Sequence, residues 1–182
     1  MKHVITAIAV NQPGVLARIV GVISGRGFNI ETINAGPTHE PSLSRITLTV
    51  PGDDRVLEQV TKQLNKLVDV VSVSDLTREP YLNRELLLVE LAASARQRAE
   101  IVELAALAGA QVVAVQPHSL VLQIAAEQEK VEDFLRLINP YRIVNLARTG
   151  VMALPKTPQA SPDPPVGMRR RRSRPVAHRS KR

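Results

Sequence analysis

The sequence of 182 residues contains no cysteine and no tryptophan, and only two tyrosines and two phenylalanines. The absence of cysteine excludes a disulfide scaffold, a thiolate metal site and a cysteine nucleophile. Because aromatic residues are scarce, the core must be aliphatic, and a hydrophobic content of 44% is sufficient for one. No apolar run approaches the roughly 18 residues of a membrane-spanning helix. The N-terminus lacks the length and cleavage site of a signal peptide. We therefore expect a soluble, cytoplasmic protein with no membrane contact.

The sequence also lacks the motifs of an enzyme. It has no nucleophile-elbow serine and no glycine-rich phosphate loop. Asp53 and Asp54 are adjacent carboxylates, but acids are favoured at the start of a helix, and we interpret them in that way. No two histidines have metal-ligand spacing, since the four lie at His3, His39, His118 and His178. The sequence therefore predicts neither catalytic residues nor a metal site.

The positive charge of the chain is concentrated at its C-terminal end. Residues 155–182 hold nine of the 24 Lys and Arg residues but one of the 17 acids, which gives this segment a net charge of +8. The other 154 residues carry a net charge of −1. Residues 155–182 also hold six of the 13 prolines. With few large apolar side chains, this segment cannot bury enough surface to offset the entropy of ordering. We predict a disordered Pro/Arg-rich tail.

The two halves of the body show the same order of strand and helix periods. In residues 1–78, apolar and β-branched runs predict four strands, and helical spacing predicts helices after Gly14 and after Asp53. The four strands of the first half are predicted at 3–10, 28–35, 44–50 and 68–76. In residues 85–154 the predicted elements are strands at 85–92, 110–115, 120–125 and 142–147 and helices at 96–107 and 127–138.

A shift of 82 residues superimposes the first three elements of the two halves without a gap and places Gly27 on Gly109. We predict an α+β fold with two ferredoxin-like βαββαβ domains, joined by a linker at 79–84. Each domain has about 75 residues and an open four-stranded sheet with exposed edge strands. Such edges favour pairing between copies, so we expect a homodimer.

The loop Asn11-Gln-Pro-Gly14 is the candidate binding site. Asn11 could accept hydrogen bonds from the first amides of the helix, and Pro13 is tolerated in a first turn. Free amides at a helix N-terminus attract carboxylates, and Gly14 allows a ligand to approach the backbone. The second half has Ala93-Ser-Ala-Arg96 at this place, so only the first copy is suited to a ligand. The residues alone support equally the alternative that Asn11 and Gly14 are ordinary turn residues.

Longer motifs identify a protein family more specifically than the four-residue loop does. Residues 2–78 include NQPGVLARIVGVISGRGFNIETINAGPT and SLSRITLTVPGDDRVLEQVTKQLNKLVDVVSVSDL, and the second half includes RELLLVEL and RIVNLARTGV. With these motifs the chain resembles the regulatory (small) subunits of acetolactate synthase, also called acetohydroxyacid synthase, strongly over 2–78 and more loosely to about Leu154. The resemblance implies that the first half is an ACT domain, an amino-acid-sensing βαββαβ module, and that the second half is ACT-like.

The resemblance implies a function without catalysis. Its partner would be a large subunit that carries thiamine diphosphate, FAD and magnesium, and this chain would hold none of them. That enzyme condenses two pyruvates, or pyruvate with 2-oxobutyrate, at the start of branched-chain amino-acid biosynthesis. The small subunit would activate the large subunit and confer feedback inhibition by valine.

The resemblance also implies where valine binds, because in this family the ligand lies between the ACT domains of two protomers. The matching positions are Asn11, Gly14 and Asn29. The isopropyl group of valine needs a small aliphatic wall, which Ile30, Ile33 or Val15 could supply. Ala17 and Gly36 depart from the Ser and Ala of some relatives. The less secure positions are Gln12, Ala17, Ile33, Gly36 and Gln59.

Two alternative functions are left open by the sequence. One is an amino-acid sensor whose tail binds nucleic acid, since Arg169–Arg172 could bind phosphates in a salt-sensitive manner. No helix-turn-helix motif or stacking aromatic residues accompany this run, so nucleic acid is the weaker prediction. The other is a free-standing sensor for a different enzyme, against which the resemblance of the second half argues.

Overall fold

The computed structural model describes residues 1–156 of the chain. The prediction of a disordered tail falls on residues outside this range, except for Pro155 and Lys156. Over the described range, four helices alternate with nine strands. In chain order, these elements are β1 (Lys2–Val10), α1 (Val15–Ser24), β2 (Thr32–Pro37), β3 (Leu43–Pro51), α2 (Asp54–Leu64), β4 (Val70–Asp75), β5 (Tyr81–Ala92), α3 (Gln97–Ala108), β6 (Gln111–Val115), β7 (Ser119–Ala126), α4 (Gln128–Ile138), β8 (Ile143–Arg148) and β9 (Met152–Pro155).

The first half forms an antiparallel sheet with the strand order β2-β3-β1-β4. Strand β1 pairs with β3 from Lys2 opposite Pro51 to Val10 opposite Leu43. Alternate residues of each strand point to the same side, and one side packs against α1 and α2. The buried core on the helix side consists of Ile5, Ala9, Val15, Ile19, Ile23, Ile46, Leu48, Val50, Leu57, Val60 and Leu64.

The second half repeats this architecture with the strand order β6-β7-β5-β8. Ile5 and its counterpart Leu87 are both fully buried. Gly27 and its counterpart Gly109 have φ angles of 77° and 76°, a left-handed conformation that glycine adopts without steric cost. The predicted α+β fold of two βαββαβ units is therefore confirmed.

The strand predicted at 28–35 is wrong at its N-terminal end, because β2 begins at Thr32. Phe28 and Ile30 are partly buried against the first core. Residues 28–31 thus lead the chain from the helix layer to the sheet, and the amide of Glu31 donates to the carbonyl of Thr49 just before β2 begins. Apart from β2 and the start of β5, the observed strand boundaries lie within two residues of the predicted ones.

The predicted linker at 79–84 is partly strand. Residues Tyr81–Arg84 belong to β5 and pair with β9, a strand that the sequence analysis did not predict. We call this two-stranded segment, Tyr81–Arg84 with Met152–Pro155, the β5–β9 ribbon. The amide of Lys156 donates to the carbonyl of Pro80 at 3.0 Å, which extends the pairing. The pairing therefore includes Pro155 and Lys156, the first two residues of the predicted tail.

The β5–β9 ribbon fastens the second half to the first. Val151 and Ala153 are buried in one cluster with Val4 and Leu76, and Tyr81 packs against it. Since Val4 and the core residue Ile5 are neighbours in β1, Val4 points to the sheet face opposite the helices. The ribbon thus covers part of the open face of the first sheet. Within residues 1–156, none of the helices has the length and apolarity needed to cross a bilayer.

Candidate functional site

The N-terminus of α1 is open in a way that suits an anion. Its N-cap is Gly14, with φ 85° and ψ −13°, and neither a side-chain cap nor an acid in the first turn accompanies it in the described structure. By contrast, the Asp53 carboxylate caps α2 by accepting from the amide of Val56 at 3.0 Å. Because a helix N-terminus carries partial positive charge, the start of α1 favours a negatively charged ligand.

Asn11 does not cap α1, so that part of the sequence analysis is wrong. Its Nδ2 atom donates to the carbonyl of Pro41 at 3.0 Å, and its backbone amide donates to the carbonyl of Ser42 at 2.7 Å. Asn11 therefore ties the loop to the turn between β2 and β3. The amide of Gln12 donates to the carbonyl of Val10 at 3.0 Å, which makes the loop a tight turn.

Arg18 belongs to this site and was missed by the sequence analysis. Its Nε and Nη2 atoms both lie 2.8 Å from Oδ2 of Asp69. Its Nη1 atom lies 3.3 Å from the position that a Cβ atom at Gly14 would occupy. A guanidinium group thus flanks the glycine beside the helix start, with its charge already paired with Asp69. The available signal was spacing, since residues four apart on a helix share a face.

The other predicted residues of the loop and helix differ in accessibility. Val15 is 3% exposed and belongs to the core, so its backbone rather than its side chain is available to a ligand. Gln12 and Ala17 are exposed. Ile30 is partly buried against the core, and Ile33 on β2 is 36% exposed.

One protomer does not bring Asn29 close to Asn11. Asn11 follows Val10, which pairs with Leu43 at one end of the sheet. Asn29 precedes Thr32, which pairs with Thr49, and Thr49 in turn pairs with Val4 near the other end. Val10 and Val4 are six residues apart along β1, which corresponds to about 20 Å. A single protomer therefore does not present both asparagines to one small ligand.

Gly36 and Gln59 also lie apart from the loop. Gly36 pairs with Arg45, and both point to the open face because the neighbouring Ile46 points to the helix core. Gln59 is exposed on α2. The structure therefore groups Asn11, Gln12 and Gly14 with Arg18, but it does not group them with Gly36 and Gln59.

Comparisons with known proteins identify the family. Residues 5–72 match the family described as the AHAS small subunit-like ACT domain, and residues 84–157 match the small subunit of acetolactate synthase. The chain is 45% identical over 154 residues to a protein of Archaeoglobus fulgidus named probable acetolactate synthase small subunit, which covers 85% of this chain and 96% of that protein. The chain belongs to the acetolactate synthase small-subunit family.

Two further relatives agree with this assignment. The acetolactate synthase isozyme 3 small subunit of Escherichia coli is 39% identical over 155 residues, with 85% of this chain and 95% of that protein covered. The crystal structure of the acetolactate synthase small subunit from Thermotoga maritima matches with a TM-score of 0.79 and 30% identity, covering 87% of this chain and 99% of that one. The resemblance and the ACT-domain fold are thus confirmed. As a member of this family, the chain is a regulatory, non-catalytic subunit, and the name of the family implies a catalytic large subunit as partner.

Proposed function

We propose that this small subunit activates the large subunit of acetolactate synthase and confers feedback inhibition by valine on the synthesis of valine, leucine and isoleucine. The observation that carries the proposal is the uncapped start of α1, where a left-handed glycine lies beside the guanidinium group of Arg18. The carboxylate of valine would accept hydrogen bonds from the first amides of α1. Its ammonium group would donate to the side-chain oxygens of Asn11 and Asn29.

A homodimer would bring those two asparagines together. Strand β2 lies at an edge of the first sheet, and edge strands favour pairing with a second copy. If two β2 strands pair antiparallel about a point between Asn34 and Ala35, residue 32 lies opposite residue 37 and residue 29 falls level with residue 40. Asn11 bonds to Pro41 and Ser42, so Asn29 of one protomer would approach the Asn11 loop of the other.

Valine bound between the two protomers would act by stabilising one geometry of the dimer. It inhibits if it binds the less active assembly more tightly than the active one. Allosteric couplings of this kind are typically about 1–3 kcal/mol, which corresponds to a difference of about 5- to 150-fold in the affinity of the two assemblies for valine.

The chemistry itself is proposed to take place on the large subunit. We propose that thiamine diphosphate, FAD and magnesium are all held there. In support, no group of three His, Asp or Glu side chains within residues 1–156 is arranged to hold a metal ion. We place the assembly in the cytoplasm, as the sequence analysis expects.

A matched pair of substitutions at Gly14 tests the valine site. Gly14→Asp and Gly14→Asn impose similar left-handed strain, which Asp and Asn tolerate better than most residues, and both side chains would meet Arg18. The Asp variant alone adds a negative charge, which repels the carboxylate of valine and competes for Arg18. The assay is acetolactate formation by the reconstituted large and small subunits with increasing valine.

We expect the Gly14→Asp complex to remain activated and to need at least about tenfold more valine for half-inhibition than the Gly14→Asn complex. If the two complexes were equally sensitive to valine, the assignment of the carboxylate to the start of α1 would be wrong.

A further inference from the structure

An open cavity lies between the two halves of the chain. It has a volume of about 480 Å³ and is lined by residues of the open face of the first sheet and of the β5–β9 ribbon. We call it the ribbon cleft. Cavities of about 300–1,000 Å³ are of the size that holds small organic molecules. The side chains that matter for its chemistry are Asn34, Arg45, Leu82, Arg84, Met152 and Leu154.

Arg45 gives the ribbon cleft a positive charge without a counter-ion. This side chain is partly buried, and its Nη1 atom donates to Oγ1 of Thr6 at 3.2 Å. No carboxylate within residues 1–156 lies at ion-pair distance from it. Burial lowers the pKa of Arg45, because the charged form loses hydration. A partly desolvated guanidinium group without a counter-ion is costly, and an anion would offset its charge.

The opposite wall of the ribbon cleft is apolar. Leu82, Met152 and Leu154 project from one side of the ribbon and are 50%, 45% and 51% exposed. Gly36 lies opposite Arg45 in the sheet, and a Cβ atom added there would have no neighbour within 4 Å. The glycine therefore leaves space beside the guanidinium group that a ligand could fill.

The residues that line the cleft disfavour ligands with an ammonium group. They comprise two arginines, an asparagine, a threonine and apolar residues, and no acid is among them. An ammonium group would therefore meet no opposite charge here and would lie close to two guanidinium groups. Arg84 is partly satisfied already, since its Nη1 atom lies 3.4 Å from Oε1 of Glu127, which leaves Arg45 as the anion-binding group.

We propose that the ribbon cleft binds a small aliphatic monocarboxylate, whose carboxylate pairs with Arg45 and whose hydrocarbon part contacts Leu82, Met152 and Leu154. This site is distinct from the proposed valine site, because it lies on the sheet face opposite the helices and its lining includes none of Asn11, Gly14 and Asn29. Since its two walls come from different halves of the chain, a bound acid would stabilise one placement of the halves relative to each other.

The test uses calorimetry on the full-length protein with 4-methylpentanoate, and with the neutral 4-methylpentanamide as a ligand of similar shape. We expect one site per chain for the acid and binding weaker by about tenfold or more for the amide, because a charge-assisted hydrogen bond is lost. Arg45→Gln should weaken binding of the acid by a similar factor. Arg55→Gln on α2, the matched control, should leave its affinity unchanged.

A second variant tests the shape of the cleft. Gly36→Val should fill the space beside Arg45 and weaken binding of the acid, while thermal unfolding stays close to that of the wild type because valine suits a strand. The proposal is overturned if the acid does not bind at about 10 mM, a weak affinity on any scale. It is also overturned if acid and amide bind equally, or if Arg45→Gln retains full affinity.

Analytical ultracentrifugation tests whether a second copy of the chain, rather than a small ligand, occupies the ribbon cleft. If Leu154→Glu converted a dimer into monomers, a second copy of the chain would be the partner of the ribbon cleft, and the proposal of a small ligand would be wrong. The valine affinity of the Arg45→Gln variant distinguishes this proposal from the function proposed above. We expect this variant to bind valine as tightly as the wild type.

Discussion

A single added methyl group at Gly150 tests how closely the two halves are packed. Gly150 is buried and has a φ angle of 73°. A Cβ atom at this position would lie 2.8 Å from Cβ and 3.2 Å from Oγ1 of Thr32. Thr32 is held in place, because it pairs with Thr49 across β2 and β3 and its hydroxyl donates to Oγ1 of Thr49 at 2.8 Å. The contact therefore joins the chain just before β9 to the edge of the first sheet.

The magnitude follows from comparison with Gly27, which has a similar φ angle of 77° but no neighbour within 4 Å of an added Cβ atom. Gly27→Ala should cost about 1–2 kcal/mol of left-handed strain, offset in part by about 0.4–1 kcal/mol from the unfolded chain. Gly150→Ala has the same strain and in addition overpacks the contact, which typically costs about 1–3 kcal/mol. The difference between the two variants should therefore be about 1–3 kcal/mol.

Thermal and urea unfolding followed by circular dichroism would measure this difference. For a chain of this size, about 1–3 kcal/mol corresponds to about 2–12 °C in Tm. We expect the order of stability to be wild type, then Gly27→Ala, then Gly150→Ala. Equal losses for the two variants would refute the close packing of Gly150 on Thr32, and with it the rigid attachment of the second half.

Two further predictions concern charge and ligand contact. Glu85 is 1% exposed and its carboxylate accepts from Nε and Nη2 of Arg148 at 2.6 and 3.0 Å. Glu85→Ala should lower the free energy of unfolding in urea by about 2 kcal/mol, because two charge-assisted hydrogen bonds are lost while Glu132 still pairs with the guanidinium group. Glu132→Ala, which removes the more exposed partner of Arg148, should cost about 1 kcal/mol or less, and equal losses would contradict this ranking. Asn29→Ala should weaken valine binding in calorimetry on the dimer, and unchanged affinity would place the ligand elsewhere.

Local sequence patterns predicted most of the fold, because the spacing of apolar residues along the chain indicates whether a segment is a helix or a strand. Ile46, Leu48 and Val50 alternate with polar residues, which marks β3 before any partner is known. The β5–β9 ribbon was not predicted, because β9 has only four residues and is stabilised by pairing with residues some 70 positions earlier. Short strands carry too little pattern to be distinguished from a loop.

The sequence predicted the part of the candidate site that depends on neighbouring residues, but not the part that depends on residues distant along the chain. The glycine at the start of α1 is a local signal, and the structure shows it in the left-handed conformation. The bond from Asn11 to Pro41 spans 30 residues and the bond from Arg18 to Asp69 spans 51. Neither could be inferred from spacing, because both depend on the order in which the strands are arranged. The separation of Asn29 from the loop follows from the same strand order.

The duplicated fold explains why one helix start is suited to a ligand and the other is not. In the second half, the Oε1 atom of Gln97 accepts from Oγ and the amide of Ser94 at 2.7 and 3.2 Å, which closes the turn before α3. The N-cap there is Arg96, and Glu100 lies in the first turn. A carboxylate already near this dipole competes with any anionic ligand, and a long side chain replaces the glycine. Neither helix start has a side-chain cap. At α3, however, the amides of Gln97 and Arg98 both donate to the carbonyl of Ser94, and no glycine lets a ligand approach, which is why we place the effector at α1.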